Sequence, residues 1–245
     1  MNIHKFIQKI IQTQHIYAHG IETLPHGTIY SCINPYSYHF MRQFPSTYYG
    51  LDGIFVDGIT MCWWIRLLWG EKINRNSFDM TGIARTLFSS LNKIENKNTI
   101  FFLGAHQEEI ENSIQNIKSE YKYLNIIGYR NGYFEDSVQR YETIENIIKL
   151  NPSYVIVGMG SPLQENFAIE LKNSGYNGII FTCGGFLHQT KEKLIYYPTW
   201  INLLNLRAFY RLYKERNLLP RLYNVLIEFP VLFIYDTFKT KISRK

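Results

Sequence analysis

Between Thr99 and Gly185 the sequence switches repeatedly between strand-like and helix-like spacing, and that alternation leaves few folds open. Thr99–Leu103 is continuously apolar and closed by Gly104; Leu124–Ile127, Tyr154–Val157 and Gly178–Cys183 are built alike, the last two closed by Gly158 and by Gly184-Gly185. Between them lie His106–Ile117, Ser137–Leu150 and Pro162–Asn173, all with helical spacing. Short apolar runs alternating with helices of about a dozen residues predict βαβ units and a parallel sheet. Upstream, Thr28–Ile33 and Gly53–Val56 read as strands, Ile59–Trp69 as a buried helix, and Asp79–Leu91 as a helix that Asp79 begins or caps. The expected fold is α/β: a Rossmann-like, mostly parallel sheet flanked by helices. Ligands of such sheets sit beyond the carboxyl ends of the strands, so the residues just after each strand are the candidates for a site.

The chain of 245 residues is long enough to bury a core without staples. Its net charge of +6 is unevenly placed: residues 206–245 hold nine Lys/Arg against three Asp/Glu, and the rest is balanced at 17 against 17. A neutral body with a cationic tail argues for a partner of the tail alone, either an acidic membrane surface or nucleic acid. Leu206, Phe209, Tyr210 and Tyr213 share a helical face beside Arg207, Arg211 and Lys214; beyond Pro220, Leu222, Val225, Leu226 and Phe229 repeat the apolar spacing. Two amphipathic basic helices would make a helical, membrane-associating appendage over 201–245, after an α/β domain over 1–200. Cys32, Cys62 and Cys183 form no CxxC pair, which fits a reducing compartment. The N-terminus is amphipathic but lacks the features of a signal peptide, and no run reaches the roughly 20 apolar residues of a spanning helix. The expected location is cytoplasmic, peripheral to the inner membrane face. Aromatic residues at 16% leave room for a cleft or for a homo-oligomer interface.

The sharpest local motif is Val157 to Glu165 (VGMGSPLQE), a strand running through two glycines into a helix. Ser161 suits the N-cap, Pro162 the first helical position, and Gln164 completes a capping box. Gly158 and Gly160 would let a ligand approach the backbone, and a helix N-terminus suits an anion such as a nucleotide diphosphate. A capped turn without ligand explains the same residues. Gly184-Gly185 forms a second such loop, followed by His188 and Gln189. Asp57 ends a strand, where a carboxylate serves as a general base, or Asp57-Gly58 is simply a turn. Asn34 after the first strand suits a sugar contact or a cap equally. There is no DxD pair, HExxH, P-loop or GxSxG, so no metal is expected, and a bound phosphate would be neutralised by amides and cations.

In order along the chain, Ser31 to Asn34, Val56-Asp57-Gly58, Arg75 to Asp79, Phe102-Leu103-Gly104, Gly132-Tyr133-Phe134, Gly158 to Glu165, Gly184-Gly185, Pro198-Thr199-Trp200 and Tyr210-Arg211-Leu212 resemble the elements of the WecG/TagA/CpsF family of bacterial glycosyltransferases. The resemblance spans about Thr28 to Tyr223, and the Gly158–Glu165 element is its most specific part. It implies an inverting, metal-independent transfer, without cofactor, from a UDP-sugar (N-acetylmannosamine-like or another hexose) to an acceptor on undecaprenyl diphosphate, in cell-surface polysaccharide synthesis. By the same resemblance Asp57 is the base. Asn34, Asp79, Gly104, Gly132, Tyr133, Phe134, Gly158, Gly160, Ser161, Gln164, Glu165, Gly184 and Gly185 meet the donor, and Arg211 and Arg221 meet the lipid diphosphate. Cys32 and His188 stand where many members have Thr and Asp, which leaves the donor sugar open. Two rivals remain: another nucleotide-binding α/β enzyme, which lacks a third glycine where Leu163 stands, and a nucleic-acid-binding module, which lacks a recognition motif and a broad basic footprint.

Overall fold

The structure is a computed structural model; it describes residues 2–198, 200, 201, 204, 206, 207, 210, 213 and 222–243. Six strands, β1 (Ile29–Ile33), β2 (Gly53–Val56), β3 (Thr99–Gly104), β4 (Asn125–Arg130), β5 (Tyr154–Gly158) and β6 (Ile179–Thr182), form one sheet in the order β2-β1-β6-β5-β3-β4. Every neighbouring pair is parallel. Among the described residues the sheet is accompanied by helices α1 (Ile3–Ala18), α2 (Pro35–Gln43), α3 (Pro45–Tyr49), α4 (Ile59–Trp69), α5 (Ile83–Leu91), α6 (Gln107–Glu120), α7 (Ser137–Leu150), α8 (Leu163–Asn173), α9 (Phe186–Thr190) and α10 (Phe229–Ile242), besides shorter turns of helix at Ile21–Thr23 and Asn224–Glu228.

Strand side chains alternate between two cores, as the period of two requires. Phe101, Leu103, Val155 and Val157 join α1, α2, α4, α7, α8 and α10 on one face. Ile100, Phe102, Ile156 and Phe181 join α5, α6 and α9 on the other. With both faces covered, β3 and β5 are nearly continuous apolar runs, whereas the inner strands β1 and β6 also carry the buried Ser31 and Thr182. The helices after β3 and β5 lie on opposite faces, so their connections diverge and open a crevice at the carboxyl end between these two strands. Gly104, Gly158 and Gly132 meet there. Gly104 has φ +148, and a Cβ on it would stand 2.3 Å from the Gly158 carbonyl oxygen; one on Gly132 would stand 3.0 Å from the Gly104 Cα. No larger residue fits at Gly104.

Several expectations need correction. The helix expected from Asp79 begins at Ile83, because the Asp79 carboxylate accepts from the Thr81 N–H (2.7 Å) and from the Ser77 and Thr81 hydroxyls, which closes a tight turn instead. The helix after Gly160 starts at Leu163 and has no side-chain cap. Ser161 precedes a cis peptide to Pro162, and its hydroxyl turns to Glu165, so the expected capping box does not form. Helix α4 is buried on one side only: Met61, Cys62 and Ile65 point inward, whereas Trp63 and Leu67 are exposed. Strand β4 runs on to Arg130; at the sheet edge it needs no continuous apolar run.

Helices α1 to α3 escaped the strand–helix reading. The Asn2 side chain caps α1, whose Ile3, Phe6, Ile7 and Ile10 are buried. The Thr13 hydroxyl on α1 accepts from the Ile54 N–H (2.9 Å), which covers part of edge strand β2. Helix α10 packs on the same face. Phe229 and Phe233 are buried in the core there, and the Asp236 carboxylate accepts from the Tyr38 hydroxyl and from Arg42, each at 2.8 Å. Phe229 therefore turns inward rather than continuing the surface stripe expected with Leu222, Val225 and Leu226. No helix among the described residues is long and apolar enough to cross a membrane.

Candidate active site

A cleft of about 430 Å³ opens at the carboxyl ends of β1, β2 and β6. Its lining includes Asn34, Asp57, Arg75, Asp79, Gly184, Gly185 and Arg207. Asp57 arrives there because β2 ends at Val56 and the Asp57 N–H still donates to the Ile33 carbonyl (2.7 Å), in register with β1. Gly58 then takes φ +155, and a Cβ there would stand 2.9 Å from the Pro35 ring. The Asp-Gly pair is thus both the turn and the device that delivers a carboxylate to the cleft. Asn34 likewise serves twice: its Oδ1 accepts from the Ser37 N–H (3.0 Å) to cap α2, and the residue lines the cleft.

Sequence reasoning missed the role of Arg207, read only as part of a basic face. Its guanidinium is buried, lies 4.8 Å from the Tyr197 ring centroid, and donates to Asp79 Oδ2 (2.5 Å), Ser77 and Thr81. Burial alone would raise the Asp79 carboxyl, but Arg207, Ser77 and Thr81 outweigh it and hold the group below the usual carboxylate range. A carboxyl whose pKa is lower in the folded than in the unfolded chain stabilises the fold above its unfolded value, about 3.9. That contribution disappears as pH falls through the folded value. Asp79→Asn is therefore expected to flatten the acid limb of a melting-temperature profile between about pH 5 and 3; parallel acid limbs for the variant and wild type would refute this. Trp63, Tyr36 and Tyr197 also line the cleft. None of the three was singled out in the sequence, although Tyr197 directly precedes the Pro198 element.

The Gly158–Glu165 element borders the cleft rather than lining it. A Cβ on Gly158 would stand 2.7 Å from the Cys183 sulfur and 3.1 Å from the Gly184 carbonyl, so the two glycine loops are packed together. Gly160 (φ +76) and Gly184 (φ +55) face open space, with nothing within 4 Å of an added Cβ. Beneath them Gln164 and Glu165 are buried. The Gln164 amide accepts from the Gly184 N–H (3.1 Å) and donates to Glu165 Oε1 (2.8 Å). That oxygen also accepts from Ser31 (3.0 Å) and Ser161 (3.1 Å), and Thr182 donates to Ser31 (2.8 Å). Glu165 thus ties together residues of β1, β6 and the β5–α8 loop. Burial pushes its carboxyl above the usual range, and its second oxygen has no hydrogen-bond partner among the described residues. The network sets the height of both loops from below.

Beyond the carboxyl ends of β3 and β4, Tyr133 is exposed and stacks on His106 (centroids 4.3 Å apart, 14° between planes). Phe134 instead packs inward on Phe167, with Arg130 over its ring at 4.3 Å. His188 pairs with Glu109 (2.8 Å), whereas Gln189 reaches the cleft. Arg211 and Arg221 lie outside the described residues. The described residues contain no group of three His, Cys, Asp or Glu side chains placed to hold a metal ion.

Residues 18–245 match the model of the glycosyl transferase WecG/TagA/CpsF family. Over 204 residues, 83% of this chain and 84% of the relative, the sequence is 33% identical to a UDP-Gal:alpha-D-GlcNAc-diphosphoundecaprenol beta-1,4-galactosyltransferase of Shigella boydii. Over 144 residues, 58% of this chain and 55% of the relative, it is 29% identical to an N-acetylglucosaminyldiphosphoundecaprenol N-acetyl-beta-D-mannosaminyltransferase of Bacillus subtilis. A Staphylococcus aureus protein of the same description is 28% identical over 149 residues, 60% of this chain and 54% of the relative. With its parallel sheet and a carboxylate-bearing cleft at the strand ends, the chain is a glycosyltransferase and belongs to the WecG/TagA/CpsF family.

Proposed function

We propose that this enzyme moves a hexose, with inversion, from a UDP-sugar onto N-acetylglucosamine carried by a polyprenyl diphosphate. The observation that carries this reading is that Asp57 shares one cleft with Gly184-Gly185, Arg75 and Arg207. The open backbone at Gly160 and Gly184 lies beside it. The acceptor hydroxyl oxygen attacks the anomeric carbon and the new C–O bond forms. The bond from that carbon to the diphosphate breaks with its electron pair leaving on UDP, and Asp57 takes the hydroxyl proton. Attack opposite the leaving group inverts the configuration.

Amides of the glycine loops and Arg75 neutralise the diphosphate in this reading, so the donor binds without a metal. Arg211 and Arg221 are the candidates for the lipid diphosphate. The relative that aligns over most of its length names galactose, which makes UDP-galactose the first donor to try and UDP-N-acetylmannosamine the second.

The lipid acceptor requires work at a membrane surface. Val231, Tyr235, Phe238 and Ile242 form an exposed stripe on α10, beside Lys239. Such a face fits the headgroup region of an anionic leaflet. The donor half of the reading is checked by thermal shift. At 100 times its Kd, UDP or a UDP-hexose stabilises by about 2.7 kcal/mol, and the shift is expected to survive EDTA. A shift abolished by EDTA would refute metal-free binding, and none with any UDP-sugar would refute the donor class.

A further inference from the structure

We propose that the apolar rim of this cleft is a subsite for the first isoprene units of the lipid-linked acceptor; the inference rests on the acceptor reading above. The cleft is two-sided in character. Asp57, Arg75, Asp79 and Arg207 bring charge to its lining, whereas Trp63, Leu204, Leu206, Leu222, Val225 and Leu226 form an apolar set. Three of these are largely in water: Trp63 is 60% exposed, Leu204 62% and Leu226 52%. Large apolar side chains gathered from three separate segments and left exposed around one opening mark a surface that an apolar ligand covers.

Helix geometry extends the rim into a track. Residues four apart share a helix face, so Ile59, Trp63 and Leu67 line up along α4, with Ile59 and Trp63 inside the cleft lining and Leu67 72% exposed beyond it. The inward face of α4 is already committed, through Met61, Cys62 and Ile65. Ile59 still packs against the core, but Trp63 and Leu67 are surplus to it. On the inward face of α4, the Trp69 indole N–H donates to the Thr237 hydroxyl (3.2 Å) and so ties α4 to α10, the helix that carries the exposed Val231–Ile242 stripe.

The uracil base of a nucleotide sugar can stack on Trp63, but such a donor has no hydrocarbon to cover Leu204, Leu206, Leu222, Val225 and Leu226. A prenyl diphosphate sugar matches both parts: sugar and diphosphate meet the charged lining while the hydrocarbon leaves over Trp63 and Leu226. The subsite would bind the chain after it leaves the membrane and hold the diphosphate at a fixed depth.

The test uses the full chain, UDP-galactose or UDP-N-acetylmannosamine as donor, and two water-soluble acceptors. These are N-acetylglucosamine diphosphate joined to one or to two isoprene units, both kept below micelle-forming concentrations. Each added isoprene that the rim half covers should lower KM by about tenfold, given the transfer free energy of buried methylene groups. In Trp63→Ala that KM ratio is expected to fall toward one, and Trp63→Phe should restore most of it; Leu226→Ala serves as a second, independent probe. Because both side chains are largely exposed, melting temperatures should stay near wild type. Equal KM values for the two acceptors in wild type, or a ratio unchanged in both alanine variants, would overturn the subsite. No turnover of either acceptor by wild type would overturn the acceptor reading, and the subsite with it.

Discussion

Asp57→Asn is expected to lower kcat by on the order of 10²–10⁴-fold, the range of general-base assistance, with little change in UDP affinity. The side chain is delivered to the cleft by the β2 register and the Gly58 turn, neither of which depends on its charge. Asn preserves size and shape, so the backbone hydrogen bond from residue 57 to Ile33 should persist. What it removes is the ability to accept the acceptor hydroxyl's proton while the C–O bond forms. The loss should therefore fall on kcat at saturating donor and acceptor, and a UDP thermal shift should remain. Turnover within a few-fold of wild type would remove Asp57 from the base role and leave it as a turn residue.

The second large effect is on stability. Phe233→Ala is expected to cost about 3–5 kcal/mol, the usual range for emptying a fully buried aromatic site. Phe233 is fully buried, with its ring 5.5 Å from Tyr38 and 5.3 Å from Phe229. For a chain of this size each kcal/mol lowers the melting temperature by roughly 2–4 °C, so a drop of about 6–20 °C should appear by calorimetry. The same logic governs truncation after Leu204. It would strip Phe229 and Phe233 from the core and leave Tyr38 without its Asp236 partner, so lost solubility is expected rather than a stable soluble body. A melting temperature within 2–3 °C of wild type for Phe233→Ala would mean that α10 is not integral to the core.

The parts of the fold that were legible are those where one physical signal dominates. β3, β5 and β6 are buried on both faces, so burial writes a continuous apolar run and a glycine marks each close approach beyond it. The helix starts at Asp79 and Ser161 were misread because the capping vocabulary is local. Asp79 satisfies Ser77, Thr81 and a buried Arg207 more than 120 residues away, and Ser161 satisfies the buried Glu165. Ser77, Thr81 and Glu165 are near in sequence, but the groups that fix them are distant: Arg207 against Asp79, and Ser31 of β1 against Glu165. The same holds for α4, where apolarity suggested burial but Trp63 and Leu67 face the cleft mouth and the surface. The candidate site was half legible: Asp57, Asn34 and Gly184-Gly185 stand in the cleft, while Arg207 enters it from a segment whose composition spoke only of a basic surface.

The most direct test of the reaction is to incubate the full chain with UDP-galactose or UDP-N-acetylmannosamine and N-acetylglucosamine diphosphoundecaprenol in mixed micelles. UDP release and the lipid product are followed together. Release of one UDP per acceptor that gains one sugar residue, in a β linkage opposite to the α configuration of the donor, is the expected result. UDP release without a lengthened lipid acceptor, or a product that keeps the α configuration, would contradict it.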